Sequence, residues 1–314
     1  AIRRKSCDFR YELTDVTRYW LTMSTAPAAA DPRPPGLLLR TVGAAADAVA
    51  DFGKVMIDWA VAVGGMTIFS FRVVAWMLTR RPRRETLLPN FYQVGVLSLP
   101  VIALTGTFIG MVLAVQSYFT FRDLNLETRL GGVINMTLVR ELGPVLAATM
   151  LAGRVGSSMA AELGTMRVTE QIDALESMGA NAIHYLVVPR FLACLFMIPM
   201  LTIMADYMGV VGGYLYSVQI LEIDKHHYWH NSQAFVGVFD LFSGVFKSLF
   251  FGVAIALISC YRGFTCQPGA EGVGRAATAA FVWSFVVILA ADLLLGKFIY
   301  SVWYQLYPHA NKLF

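Results

Sequence analysis

Long apolar runs separated by short charged segments dominate the chain after residue 85. The first run, residues 86–121, contains no charged residue and exceeds the roughly 20 residues that an α-helix needs to cross a bilayer. Four more runs follow, at residues 130–153, 191–221, 239–261 and 276–307. The pattern predicts an all-α integral membrane protein with about five transmembrane helices, in one transmembrane domain over residues 85–314.

The region before this domain is more polar. Residues 1–35 are interrupted by prolines, which predicts a flexible cytosolic tail; Met23 is an alternative start of the chain. Residues 36–84 predict amphipathic or interfacial helices, because their most apolar part carries Asp58 and Arg72. Charged side chains near the middle of a span are costly. We therefore expect this part to lie along the membrane interface or to enter the bilayer partway.

Composition supports the membrane assignment and orients the chain. Hydrophobic residues make up 57% of the sequence and the mean hydropathy is +0.58, which excludes an ordinary soluble domain. Arginines concentrate in alternate loops, as at residues 80–84, and such loops face the cytoplasm. We expect a cytosolic N-terminus and an external C-terminus. The net charge of +4 forms no basic stripe, so nucleic acid is not an expected partner.

Two glycine patterns predict close helix packing. Gly106 and Gly110 lie four residues apart in the first run, and residues 209–213 read GVVGG near the end of the third. Small residues at this spacing let helix backbones approach closely in membranes. For the first pair, chance occurrence in a glycine-rich protein is an equal alternative.

Residues 165–179 predict an amphipathic cytoplasmic helix of about four turns. Apolar side chains recur on one face and carboxylates on another, and a glycine ends the pattern. A short helix of this kind between two spans suits docking into a groove of a partner protein. The alternative is a solvated connector on the membrane surface. The residues that would form the docking surface are Glu170, Ile172, Asp173, Leu175, Glu176 and Gly179.

Charged residues inside the apolar runs are the candidates for a binding site. Arg140, Glu141 and Lys247 lie within spans, where a charge must face a cavity, an opposite charge or a polar head group. Arg140 and Lys247 could hold a phosphate, with Glu141 balancing the excess positive charge. The alternative is that Arg140 and Glu141 pair with other helices for purely structural reasons.

Pro144 follows Glu141 by three residues and removes one backbone N–H from this span. The segment could therefore divide into two half-helices with Glu141 near the break, or it could simply kink.

Other polar residues carry weaker signals. Asp206, Asp240 and Asp292 could relay protons, but their spacing favours pairing between helices. His226, His227 and His230 lie in a loop between spans without a further ligand at a recognisable offset, so we expect an external partner contact and no metal site.

Several motifs together resemble a known family of permeases. Residues 173–180, DALESMGA, followed by VVP, resemble the loop by which ABC importer permeases engage their ATPases. Residues 138–179, beginning LVRELGPVLAATMLAGRVGSS, resemble the MlaE/YrbE permease family more closely, as do residues 95–116, 245–264 and 272–282. The resemblance covers residues 91–307, and the fixed order of the motifs makes chance agreement improbable.

The resemblance implies a half-transporter that forms a homodimer in the inner membrane and moves phospholipids or related lipids between two membranes. It implies a cytosolic ABC ATPase, an extracytoplasmic MCE-domain ring protein and, in some systems, a STAS-domain protein as partners. In the family, a glutamate and a lysine that map onto Glu141 and Lys247 line the lipid pocket. The chain has no phosphate-binding G-x-x-x-x-G-K-[ST] motif, so we expect ATP-Mg in the partner and no cofactor in this chain.

The sequence is also compatible with two other functions. An ion- or proton-coupled secondary carrier would use Glu141 and Asp206, and would need no ATP. A non-transporting scaffold would tolerate loss of both Glu141 and Lys247. A membrane-embedded enzyme is disfavoured, because the runs contain no nucleophile and base set at recognisable spacing.

Overall fold

In a computed structural model of the chain, the residues described are 37–79, 84–124, 126 and 129–306, and these are almost entirely helical. The predicted tail, residues 1–35, lies outside them. The α-helices are α1 (Leu37–Thr79), α2 (Arg84–Val94), α3 (Leu99–Asp123), α4 (Leu130–Thr137), α5 (Gly143–Leu151), α6 (Ser157–Val168), α7 (Gln171–Ser177), α8 (Val188–Gln219), α9 (Lys225–Phe235), α10 (Val238–Phe264) and α11 (Ala270–Leu306). Three π-helical turns connect some of them, at Leu138–Leu142, Ala152–Gly156 and Ile183–Val187.

The chain divides into two compact units, residues 1–61 and residues 62–314. Of the first unit, the structure describes residues 37–61, which belong to α1. The second unit contains the helices that follow and the rest of α1. The region predicted to hold amphipathic or interfacial helices contains one continuous helix, Leu37–Thr79, in which no proline removes a backbone N–H.

Five helical stretches in the described residues are long and apolar enough to cross a membrane: Trp59–Thr79, Arg84–Asp123, Ile183–Gln219, Val238–Phe264 and Ala270–Trp303. Four of them coincide with predicted spans. The fifth, Trp59–Thr79, belongs to the region expected at the interface. Its length and composition also suit a crossing, so the interfacial position stays a prediction.

The predicted span at residues 130–153 has a different construction from the others. It is the first part of a helical run from Leu130 to Val168 that two π turns divide into α4, α5 and α6. The run does not break into half-helices at Pro144. The backbone absorbs the missing N–H by widening one turn, Leu138–Leu142, directly before Gly143, whose N–H donates to the carbonyl of Leu138.

The predicted glycine contact between spans is confirmed. A Cβ added at Gly106 would lie 2.6 Å from the carbonyl oxygen of Ala205, and one at Gly110 would overlap the backbone of Gly209. Helices α3 and α8 therefore pack backbone against backbone. Gly209 belongs to the second glycine pattern, so the two patterns meet at one interface.

Helices α8 and α10 supply much of the buried core of the second unit. Side chains such as Phe191, Ile198, Phe251 and Ile255 are almost fully buried there. Away from these core residues, helix α9 packs against α4. Tyr228 of α9 is buried against Gly131, whose missing side chain makes room for the ring.

The contact between α4 and α9 is polar as well as apolar. Asn135 Nδ2 donates to Ser232 Oγ at 2.9 Å, and the Tyr228 hydroxyl donates to Asn135 Oδ1 at 3.4 Å. Burial raises the pKa of Tyr228 to about 12, so its hydroxyl remains a neutral donor. The predicted loop at residues 222–233 is thus mostly an ordered helix, begun by Asp224, whose side chain accepts from the N–H of His226.

Candidate functional site

Five charged residues meet between the π turn Leu138–Leu142, α10 and α11. We call them the charged cluster: Arg140, Glu141, Asp240, Lys247 and Asp292. The structure thus brings together the three predicted site residues. It adds Asp240 and Asp292, which the sequence suggested only as residues that pair helices.

Lys247 is the centre of the charged cluster. Its side chain is only 2% exposed, and its Nζ lies 2.7 Å from Glu141 Oε2 and 3.1 Å from Asp292 Oδ1. The first contact is a hydrogen bond. The second is close enough for an ion pair but lacks hydrogen-bond alignment. A buried ammonium is costly unless it is paired, and two carboxylates compensate this one.

Pro144 provides a further acceptor for Lys247. In an α-helix the N–H of residue 144 would bond the carbonyl of Arg140, and proline has no N–H. Lys247 Nζ lies 3.4 Å from that carbonyl oxygen and donates to it. Gly244, one turn earlier on α10, lets the helix approach, because a Cβ there would be 2.5 Å from the carbonyl oxygen of Val139.

Arg140 occupies the other end of the charged cluster. Its Nε donates to Asp240 Oδ1 at 2.5 Å, and its guanidinium carbon lies 5.7 Å from the centre of the Tyr300 ring. Asp240 is itself held in place, because its Oδ2 accepts the N–H of Gly237 at 2.9 Å at the start of α10. The guanidinium is therefore positioned by a carboxylate and by an aromatic face.

The net charge of the charged cluster has the opposite sign to the one expected from the sequence. Two cations and three carboxylates leave one excess negative charge when all five ionise. Glu141, with a side chain 40% exposed, is the most accessible member, whereas Lys247 is enclosed. A phosphate could reach Lys247 only by displacing a carboxylate.

The third aspartate behaves differently from the other two. Asp206 of α8 is buried, and neither an ion pair nor a hydrogen bond to its side chain is found among the residues the structure describes. Pairing between helices therefore holds for Asp240 and Asp292 and not for Asp206.

The predicted cytoplasmic helix is shorter than expected. Residues 165–179 do not form one helix of four turns: α6 ends at Val168, and Glu170 adopts a left-handed backbone with φ 58° before α7 begins. Gly179 is a helix stop, as predicted, with φ 79°. Its N–H bonds the carbonyl of Glu176, and the next N–H bonds that of Leu175, which together complete a Schellman motif.

The amphipathic division of α7 agrees with the sequence pattern. Ile172 is buried and Leu175 is partly buried, whereas Asp173 and Glu176 are exposed. Met178, at the end of the helix, is 72% exposed. The exposed surface of α7 therefore combines an apolar side chain with negatively charged carboxylates.

A polar network near α7 was not predicted as a site. Glu162 of α6 accepts from Gln93 of α2 at 2.6 Å and from Arg190 of α8 at 3.1 Å. It ties together three helices on the side of the unit where α7 lies. Arg190 and Glu162 flank apolar runs, but their spacing of 28 residues carries no local pattern that would pair them.

The three histidines lie exposed on α9. The rings of His226 and His230 stack with centroids 6.3 Å apart, and His227 Nε2 lies 3.7 Å from Asp224 Oδ2. No group of three or more potential metal ligands occurs in the described ranges. Their role as a partner contact stays a prediction.

Taken together, several apolar helices, a buried charged cluster between them and an exposed amphipathic helix define a multi-pass membrane permease. The chain belongs to the MlaE permease family, whose model matches residues 87–298. Such a permease is a transport subunit and not itself an enzyme.

Named relatives agree with this membership. A probable ABC transporter permease protein of Rickettsia felis is 41% identical over 250 residues, which cover 80% of this chain and 96% of the relative. The intermembrane phospholipid transport system permease protein MlaE of Haemophilus influenzae is 35% identical over 81% of this chain and 97% of its own length. The chloroplastic protein TRIGALACTOSYLDIACYLGLYCEROL 1 of Arabidopsis thaliana is 37% identical over 74% and 67%.

Proposed function

We propose that this chain is the permease subunit of an ABC transporter that moves phospholipids between the inner and outer membranes, with a separate ATPase as its motor. The relatives' names and the extent of the match support the transporter class. The observation that carries the proposal is the charged cluster: a nearly enclosed Lys247 between membrane-spanning helices, with Glu141 accessible beside it.

The charged cluster would contact the lipid head group as it passes. Because Lys247 and Arg140 are already paired, a head group phosphate must compete with Glu141, Asp292 or Asp240. Exchange of one ion pair for another costs less than exposing a bare charge in a low-dielectric site. The charged cluster would thus give the head group a polar contact between apolar helices. Its π turn is a kind of backbone feature often found at functional sites.

Helix α7 would transmit the ATPase motion. Its buried face, with Ile172, joins it to the permease, and its exposed Asp173, Glu176 and Met178 are available to a groove of the ATPase. ATP-Mg would bind in that partner. Binding and hydrolysis there would move α7 and, through α6 and the Glu162 network, the helices around the charged cluster.

The proposed assembly places two copies of the chain side by side in the inner membrane. The N-terminus would lie in the cytosol, and the C-terminus and α9 would lie outside. There α9 would meet an MCE-domain ring protein, while a STAS-domain protein could join the ATPase. The excess of arginine in the predicted cytoplasmic loops supports this orientation.

Reconstitution of the permease with its ATPase in liposomes would test the proposal. Transfer of a labelled phospholipid to acceptor vesicles should require ATP and should fall at least tenfold in Lys247→Ala. Lys54→Ala serves as a matched control, because that lysine is exposed. Transfer that survives ATP removal but stops when the membrane potential is collapsed would identify a secondary carrier instead. Unchanged transfer in Glu141→Ala plus Lys247→Ala would exclude the charged cluster.

A further inference from the structure

Asp206 stands out as a carboxylate placed in the membrane domain without a partner. It is 5% exposed, and its Oδ1 is fully buried with no hydrogen bond among the described residues. Asp240 and Asp292, which also belong to apolar helices, each have a cation within 3.1 Å. An isolated carboxylate in such surroundings is costly, and such residues in membrane proteins commonly mark a ligand or ion pathway.

The backbone beside Asp206 leaves room for the carboxylate. A Cβ added at Gly143 would overlap Asp206 Oδ1, so any side chain at position 143 would displace the group. Gly143 directly follows the π turn that carries Arg140 and Glu141. The lack of a side chain at position 143 thus lets the carboxylate lie against α5, and Asp206 also lines a cavity.

Asp206 lies on the wall of a cavity of about 570 Å³, which we call the α8–α9 cavity. Its walls come mainly from α8 and α9 and are largely apolar and aromatic, including Tyr207, Val210, Tyr214 and Trp229. The volume lies within the range of small-molecule sites. Tyr207 and Leu241 are well exposed, so the cavity opens at the surface of the unit.

The residues that line the α8–α9 cavity determine which kind of ligand fits it. A single carboxylate needs a cation or a hydrogen-bond donor, and apolar walls need an apolar body, so the ligand must be amphipathic. Aromatic rings also attract cationic nitrogen, and the rings of Tyr214 and Trp229 lie 5.7 Å apart at one side of the cavity. A head group with only negative charge would offer Asp206 no cation to pair with.

We propose that the α8–α9 cavity binds phospholipids whose head groups carry an ammonium nitrogen, which pairs with Asp206. This inference rests on the proposed function and names the head-group preference of the permease. Ethanolamine and choline head groups share this cationic nitrogen. They differ in that ethanolamine can donate N–H to the carboxylate, whereas choline relies on charge and aromatic contact.

The test uses the permease–ATPase complex in nanodiscs with three photoactivatable phospholipids. These carry the same diazirine-labelled acyl chains and differ only in an ethanolamine, choline or glycerol head group. Mass spectrometry then measures labelling of residues 203–214 and 229–236. We expect ethanolamine or choline lipid to label these residues at least fivefold more than the glycerol lipid, and whichever leads identifies the dominant contact.

Two variants and a control decide the role of Asp206. Asp206→Asn keeps the shape and removes the charge, and it should reduce the head-group ratio to about one. Val210→Trp should fill the cavity and abolish labelling by all three lipids while leaving Asp206 in place, which covers the case in which the first variant misfolds. Asp51→Asn changes an exposed aspartate in the same way and should keep the wild-type ratio.

Three results would overturn the proposal: equal labelling by the three lipids, an unchanged ratio in Asp206→Asn, or a disulfide between two Tyr207→Cys copies that shows the cavity filled by the partner subunit. ATP-driven lipid transfer is measured in the same preparation. If transfer persists without head-group preference, only this inference fails. If no lipid moves with ATP, the proposed function fails independently of the labelling.

Discussion

Two carboxylates of the membrane domain, Asp292 and Asp206, have opposite surroundings. Asp292 lies 3.1 Å from the ammonium of Lys247, whereas Asp206 has no partner in the described part of the chain. Both lie within apolar helices, and the sequence around each is similar in character. The packing of the helices therefore supplies a cation to one carboxylate and leaves the other without a partner among the residues described. Substitutions in the charged cluster and beside Asp206 separate these two situations.

Removing the cation at the centre of the charged cluster should have the largest effect. Lys247→Met leaves Glu141 and Asp292 without their shared partner, and loss of one member of a buried ion pair costs about 3–5 kcal/mol. Unfolding in mixed micelles measures this loss. The triple variant Lys247→Met, Glu141→Gln, Asp292→Asn should recover most of the stability but not lipid transfer. Wild-type stability in the single variant would show that Lys247 is not required to neutralise the cluster.

Removing one carboxylate at the edge of the cluster should cost less. Asp240→Ala deprives Arg140 of its ion pair and Gly237 of its hydrogen-bond acceptor. We expect a loss of about 2 kcal/mol, since hydrogen bonds to charged groups contribute about 1.5–3 kcal/mol and Arg140 is partly exposed. Asp240→Asn should retain part of the stability by still accepting from Gly237. An equal loss in both variants would show that this backbone contact contributes nothing.

The close packing of Asp206 against Gly143 can be tested by adding one methyl group at position 143. Gly143→Ala forces the carboxylate to move, and we expect a loss of about 1–2 kcal/mol, in the range of overpacked sites. Gly153→Ala is the control in the same helical run, because a Cβ there meets Phe281 at an ordinary 3.5 Å. It should be neutral or stabilising by up to about 1 kcal/mol. Thermal unfolding of the purified variants distinguishes the two, and equal effects would contradict the proposed packing.

Charge reversal on α7 should leave stability almost unchanged. Asp173→Lys with Glu176→Lys alters exposed residues, and such changes usually stay within about 0.5 kcal/mol. Loss of the exposed pair between Arg167 and Asp173 adds little. Co-purification of the ATPase should nevertheless fall at least tenfold.

A matched control reverses two exposed carboxylates on the predicted outer side, with Asp123→Lys and Glu222→Lys. This variant should retain the ATPase. Retention of the ATPase by the α7 variant as well would exclude α7 as the docking surface.

Local patterns predicted much of the architecture. The lengths of the apolar runs identified four of the five membrane-spanning stretches, and glycine spacing identified the contact between α3 and α8. Periodicity also assigned the faces of α7. The predicted length of α7 was wrong, because Glu170 adopts a left-handed backbone conformation that is uncommon for glutamate and that periodicity does not predict. Proline chemistry located the irregular turn near Glu141, but not whether the helix would break or widen.

The order of apolar and charged residues was enough to place several charges inside membrane spans, because it shows each charge surrounded by apolar neighbours. Which of these charges meet depends on how the helices pack. Lys247 pairs with Glu141, 106 positions before it, and with Asp292 on another helix, and no local pattern encodes such distances. The same packing left Asp206 alone beside a cavity. Whether a charge is compensated depends on separations of a few ångströms between helices, which hydrophobic periodicity along one helix does not specify.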